Sequence, residues 1–116
     1  MLTVMLKSKL HRAAVTGSEL DYEGSLTIDP NLLDAIGMAP YEKILVANLN
    51  NGERFETYAI AAERGSKQIV LNGATAHKGS VGDRIIIFSF GLVTEEELTN
   101  HKPRVLVLDE NNDVIK

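Results

Sequence analysis

The chain has no cysteine among its 116 residues. That one absence excludes disulfides, thiolate catalysis and cysteine metal sites. No stretch approaches the ~20 apolar residues of a membrane-spanning helix. The opening MLTVMLKSKLHR lacks the order of a secretory signal, because its short apolar run is followed, not preceded, by Lys7, Lys9 and Arg12. The cytoplasm is therefore the expected compartment. Excess positive charge is missing as well. A net charge of −4 argues against a nucleic-acid binder that relies on a general basic surface. There is no G-x-S-x-G elbow for a serine hydrolase. The glycines of VGD, NGA and RGS are isolated turn glycines without phosphate-cradling spacing. His11, His77 and His101 have no metal-ligand spacing with a matching carboxylate, so no metal is expected.

What remains is an ordinary globular composition, 44% hydrophobic and 24% charged. The length suits one domain, residues 1–116, with a core small enough that oligomerisation is a plausible aid to stability. Alternating Leu2, Val4 and Leu6 predict a first strand running towards Val15. LDYEGSLTID, Leu20 to Asp29, predicts a second, because Leu20, Tyr22, Leu26 and Ile28 are evenly spaced. The Gly24-Ser25 pair in its middle is anomalous, since glycine weakens a strand interior. Asp29 as N-cap, Pro30 at the first helical position and Gly37 as a stop predict a helix over 30–36. Asn51-Gly52 predicts a tight turn joining strands over 43–49 and 54–60. A short strand over 68–71, a glycine-rich loop NGATAHKGSVGD, and a buried strand over 84–90 follow. Thr94 with Glu97 forms a capping box, predicting a short helix. A last strand covers 104–108, and the tail DENNDVIK is expected to be loosely held. Several short strands with brief helices make a mainly-β small barrel or sandwich.

Polar residues cluster by strand period. Lys7, Lys9 and His11 share one face if their segment is extended, and so do Arg54 and Tyr58 with Glu56 between them. Thr57 points to the opposite side. A charged stripe of this kind is ordinarily a solvated face, and Thr and Tyr are good strand formers in any case.

Four motifs carry further meaning together. KLHR at 9–12, YEGS at 22–25, NGERFETYAIAAERGS at 51–66 and NGATAH at 72–77, in this order and spacing, resemble the pyruvoyl-dependent aspartate 1-decarboxylases. The resemblance covers the chain up to about Phe90 and adds little from Gly91 on. It implies a six-stranded double-psi β-barrel and a homotetramer with active sites between subunits. It also implies self-cleavage between Gly24 and Ser25 into chains 1–24 and 25–116, with Ser25 becoming a covalent pyruvoyl group. That group would decarboxylate L-aspartate through a Schiff base to β-alanine, which feeds pantothenate and coenzyme A synthesis.

The chemistry explains the residue types. Ser25 Oγ attacks the Gly24 carbonyl, and the resulting ester eliminates to dehydroalanine and then hydrolyses to the ketone. Gly24 is expected to supply backbone freedom and space at that carbonyl. Carried over residue by residue, the resemblance makes Thr57 the hydrogen-bond donor to the cleavage oxyanion and places His11 and Tyr22 nearby. It makes Tyr58 the proton donor of the mature reaction. Lys9 and Arg54 become the substrate-binding cations, with Thr57, Asn72, Gly73, Ala74 and Thr75 completing the pocket. The family pattern has alanine where this chain has Thr75, which puts the fine shape of the pocket in doubt. The sequence leaves open whether a helper protein assists maturation. It also leaves open an uncleaved, non-catalytic barrel that serves as a binding module.

Overall fold

The structure, a computed structural model, describes residues 1–22 and 24–116, so Glu23 of the YEGS motif lies outside the described residues. Among the described residues eight strands follow one another as β1 (Leu2–Ala14), β2 (Gly17–Glu19), β3 (Ser25–Ile28), β4 (Lys43–Asn48), β5 (Arg54–Ala61), β6 (Ile69–Asn72), β7 (Arg84–Thr94) and β8 (Arg104–Val107). Helix α1 (Pro30–Ile36) lies between β3 and β4, and α2 (Glu95–Leu98) follows β7. The hydrogen-bonded order is β2-β6-β3-β5-β4-β7-β1-β8. The mainly-β class is as expected. Six strands, β6 through β1, form the inner ladder, and β2 and β8 extend it at its two edges.

Local chemistry accounts for most elements. Asp29 caps α1 by accepting from the Asn31 N–H at 2.9 Å, and it also accepts from the Gly65 and Lys67 N–H groups at 3.0 and 2.8 Å. Burial alone raises the pKa of this carboxyl. The three backbone donors and the Arg64 guanidinium outweigh burial and hold it below its ordinary value. Gly37 ends α1 in the left-handed region, φ 75°. The helix buries Leu32, Leu33 and Ile36, and the Ser8 hydroxyl on β1 donates to the Ile36 carbonyl at 2.6 Å. These side chains join Leu10, Leu26, Ile28, Ile44, Ile69 and Ile87 in one apolar cluster. Thr94 and Glu97 form the expected capping box of α2.

Four sequence expectations change. The strand expected over 20–29 begins only at Ser25; Leu20 and Tyr22 are 56% and 53% exposed and belong to a turn. Their even spacing imitated a strand, but among the described residues no neighbouring strand pairs with them. The short strand β2, absent from the sequence reading, pairs with β6 instead. The first half of the glycine-rich loop is a 3-10 turn, Gly73–Lys78. The tail is pinned rather than loose. Asn112 is 3% exposed, accepts from the Ala14 N–H at 2.7 Å, and donates to the carbonyls of Ala14 and Lys67 at 2.9 and 3.0 Å. One amide side chain thus ties three chain segments, a long-range contact with no local signature in DENNDVIK.

Candidate active site

The Gly24-Ser25 bond lies where a turn becomes β3. Ser25 is fully buried and pairs with Asn72 of β6 across an antiparallel ladder. That register brings the Asn72 side chain over the serine. Its amide donates to Ser25 Oγ at 3.0 Å and to Thr27 Oγ1 at 2.6 Å. Both amide hydrogens are thereby used, and the Ser25 hydroxyl is held with its own proton free to leave.

The 3-10 turn closes over the same place. Residues three apart eclipse one another in such a turn, so Thr75 returns over Asn72 and donates to its carbonyl at 2.6 Å. The same hydroxyl lies 3.3 Å from the Ser25 carbonyl oxygen. Gly73 presses on the backbone before the serine. A Cβ built there would lie 2.5 Å from the Tyr22 carbonyl oxygen, 2.8 Å from the Gly24 nitrogen and 2.9 Å from the Gly24 Cα. Its φ of 59° is also left-handed. At Gly24 itself a Cβ would meet nothing within 4 Å among the described residues. Among the described residues the glycine required by close approach is thus Gly73.

Tyr58 sits on β5 next to this group, since Ala59 pairs with Leu26 one residue further along both strands. Its ring stacks on Tyr41 at 6.5 Å between centroids. Tyr22, Tyr41 and Tyr58 line one cavity of about 400 Å³ with Pro40, Ile60 and Ala61. Tyr41, at φ 72° in a loop, gave no sequence signal. Thr57, half-buried, faces opposite to the exposed Tyr58 and Arg54, as strand geometry requires. Among the described residues no hydrogen bond joins Thr57 or His11 to Ser25.

A second group gathers on β1, β5 and β7. Lys9 Nζ lies 5.6 Å from the centre of the Phe88 ring and the Arg54 guanidinium 5.9 Å from the same centre. The two cations thus share one ring, which the sequence reading counted only as part of a buried strand. Among the described residues no carboxylate pairs with either. The other lysine of the stripe, Lys7, is neutralised by Glu42, with both carboxylate oxygens at 2.9 Å. His11 follows Lys9 beside a bulge in which Arg12 takes a left-handed φ of 67°. Burial, reinforced by Lys9, Arg12 and Arg84, lowers the His11 pKa, so its imidazole is neutral at pH 7. Among the described residues no three His, Asp or Glu side chains gather as a potential metal site, and no helix is long and apolar enough to cross a membrane.

The two groups do not meet within one chain's ladder. β3, with Ser25, is separated from β1, with Lys9, by β5, β4 and β7. Arg54 and Tyr58 share a face of β5 but stand roughly 13 Å apart along it, at ~3.3 Å per residue.

Residues 1–115 match the family model described as aspartate decarboxylase. The aspartate 1-decarboxylase of Tolumonas auensis is 53% identical over 116 residues, covering 100% of this chain and 92% of that protein. That of Desulfotalea psychrophila is 54% identical over 114 residues, 98% of this chain and 96% of the relative. That of Staphylococcus epidermidis is 51% identical over 116 residues, covering 100% and 91%.

Proposed function

Because the chain belongs to the aspartate decarboxylase family, we propose that it removes the α-carboxyl group of L-aspartate as CO2 to give β-alanine, using a group made from its own Ser25. The observation that carries the second half is the buried Ser25 hydroxyl, held by Asn72 at 3.0 Å directly after Gly24. A nucleophile fixed beside a carbonyl replaces a slow encounter by a positioned one. Ser25 Oγ attacks the Gly24 carbonyl carbon, and the peptide rearranges to an ester. β-Elimination and hydrolysis then release the Gly24 carboxylate and ammonia, leaving a pyruvoyl ketone at the start of chain 25–116. A pyruvoyl group supplies an electrophilic ketone for the substrate amine and an electron sink for the departing carboxylate's electron pair.

The chain's own residues divide the remaining work. The Thr57 hydroxyl is proposed to donate to the cleavage oxyanion, with His11 and Tyr22 near the scissile bond. Lys9 and Arg54 are proposed to hold the two carboxylates of aspartate. Two cations against one aromatic ring, with no carboxylate of their own among the described residues, are suited to receive a dianion. Tyr58 is proposed to protonate the former α-carbon. The backbone of Gly73, Ala74 and Thr75 and the Asn72 amide close the pocket.

A homotetramer with sites between subunits is part of this reading. Aspartate is far shorter than the separation of Arg54 from Tyr58 along β5, so cations from one subunit facing Ser25 and Tyr58 of another would complete a site. Leu2, Val4, Phe90 and Leu92 lie exposed at one end of the β1–β7 ladder, an apolar surface that assembly would cover. A cytoplasmic setting and supply of β-alanine for pantothenate synthesis belong to the same reading.

Intact mass of the purified protein tests the reading. Two fragments, residues 1–24 and 25–116, are expected, the larger bearing an N-terminal ketone. A homogeneous uncut chain, inactive after prolonged warming, would overturn it. A Tyr58→Phe variant is expected to cut normally but turn over ~10²- to 10⁴-fold more slowly, the usual contribution of a positioned acid. Unchanged turnover removes Tyr58 from the role of proton donor.

A further inference from the structure

Thr75 is 8% exposed and places one hydroxyl between two acceptors, the Asn72 carbonyl at 2.6 Å and the Ser25 carbonyl at 3.3 Å. A hydroxyl has a single proton to give. At rest the shorter contact takes it. The balance changes when charge develops on the Ser25 carbonyl oxygen, because a hydrogen bond to an anionic acceptor is about twice as strong as one to a neutral carbonyl.

Such charge arises at a definite step of self-cleavage, on the reading proposed above. Once the ester has formed, Ser25 carries a free amine on Cα and its Oγ is bonded to the Gly24 carbonyl carbon. Elimination removes the Cα proton to solvent, and the electron pair delocalises onto the Ser25 carbonyl oxygen as an enolate. The pair then forms the Cα–Cβ double bond. The Cβ–Oγ bond breaks, and Oγ leaves with its electrons as part of the Gly24 carboxylate. No oxidant or reductant is needed. Negative charge therefore passes from the Ser25 carbonyl oxygen to Oγ. Each atom already faces a donor in the structure: Thr75 Oγ1 at the first and the Asn72 amide at the second.

We propose that the Thr75 hydroxyl is a catalytic oxyanion donor to the Ser25 carbonyl, acting in the elimination rather than in the acyl shift. The shift places charge on the Gly24 carbonyl oxygen, a different atom. The 3-10 turn holds the hydroxyl there, so it needs only to rotate about its C–O bond. The role belongs to this chain's threonine, since alanine at this position has no hydroxyl to give.

The test separates the two steps. Hydroxylamine attacks the ester directly and releases chain 25–116 with an N-terminal serine, whereas elimination and hydrolysis release it with a ketone; intact mass distinguishes the products. Thr75→Val keeps the shape and removes the hydroxyl. Ketone formation in this variant is expected to slow about tenfold, less than the ~10²- to 10³-fold of a dedicated oxyanion donor because the hydroxyl must first leave Asn72. The serine-bearing product under hydroxylamine should appear at the wild-type rate, and Thr75→Ser should restore ketone formation. Should Thr75→Val fail to fold by circular dichroism, Thr75→Ala serves in the same assay. Equal slowing of both products overturns the inference, since it marks a packing role. Wild-type behaviour of the hydroxyl-free variant overturns it too. A wild-type chain that never cuts overturns the proposed function and this inference together, whereas a cutting wild type with an indifferent Thr75 overturns the inference alone.

Discussion

Replacing Ser25 by alanine is expected to leave one uncut species of 116 residues with no detectable conversion of L-aspartate to β-alanine. The substitution removes the attacking oxygen and nothing else. The site should survive it, because the Asn72 amide that loses Ser25 Oγ keeps its 2.6 Å bond to Thr27. The loss of one buried hydrogen bond costs about 1 kcal/mol, a shift in melting temperature of roughly 4 °C for a chain of 116 residues. Intact mass and a β-alanine assay, together with a melting curve, give the three readouts. Uncut, inactive and folded is the expected combination. Production of β-alanine by the variant above a protein-free blank would show that the reaction does not depend on a group made from Ser25.

The second large effect belongs to Gly73. A methyl group there would lie within 3 Å of three backbone atoms, the Tyr22 carbonyl oxygen and the nitrogen and Cα of Gly24. Backbone cannot swing aside as the end of a flexible side chain can. The left-handed φ of 59° adds about 1–2 kcal/mol of strain for alanine. Gly73→Ala must therefore push either the 3-10 turn or the scissile peptide out of place. Displacements of about 1 Å at a reacting centre cost ~10²-fold in rate, so cleavage is expected to slow at least that much. Gly24→Ala is the informative partner. With nothing within 4 Å of the added carbon among the described residues, it should slow cleavage far less. Following the appearance of chain 25–116 over time for both variants ranks them; the reverse order would mean that the contact with Gly73 does not position the scissile bond.

These two results bear on how the anomaly in LDYEGSLTID is understood. Taken as a pattern, Leu20, Tyr22, Leu26 and Ile28 read as one strand with glycine in its middle. In the fold the strand starts at Ser25, so Gly24 interrupts nothing. Alternation of apolar residues is a local signal, and a turn can carry it by chance. Only pairing with β5 and β6 decides which residues are strand.

Elements governed by near neighbours were legible without coordinates. Asp29, Pro30 and Gly37 bound α1 because capping acts within one turn. Asn51-Gly52 marks its hairpin, and Thr94 with Glu97 marks α2, for the same reason. The alternation that sets Thr57 opposite Tyr58 follows from the two-residue period of a strand. The proposed self-cleavage rests likewise on a local feature, a glycine-serine pair within four family motifs. What lay beyond the sequence depends on contacts between residues far apart in the chain. Asn112 reaches across 98 positions to Ala14 and holds down a tail that its composition marks as loose. Phe88 collects Lys9 and Arg54 from two other strands. The β3–β6 register sets Asn72, and with it Gly73 and Thr75, against Ser25 across nearly fifty residues. Local composition determined where the chain could turn and cap; the strand register, a long-range property of the whole ladder, decided which side chains surround Ser25.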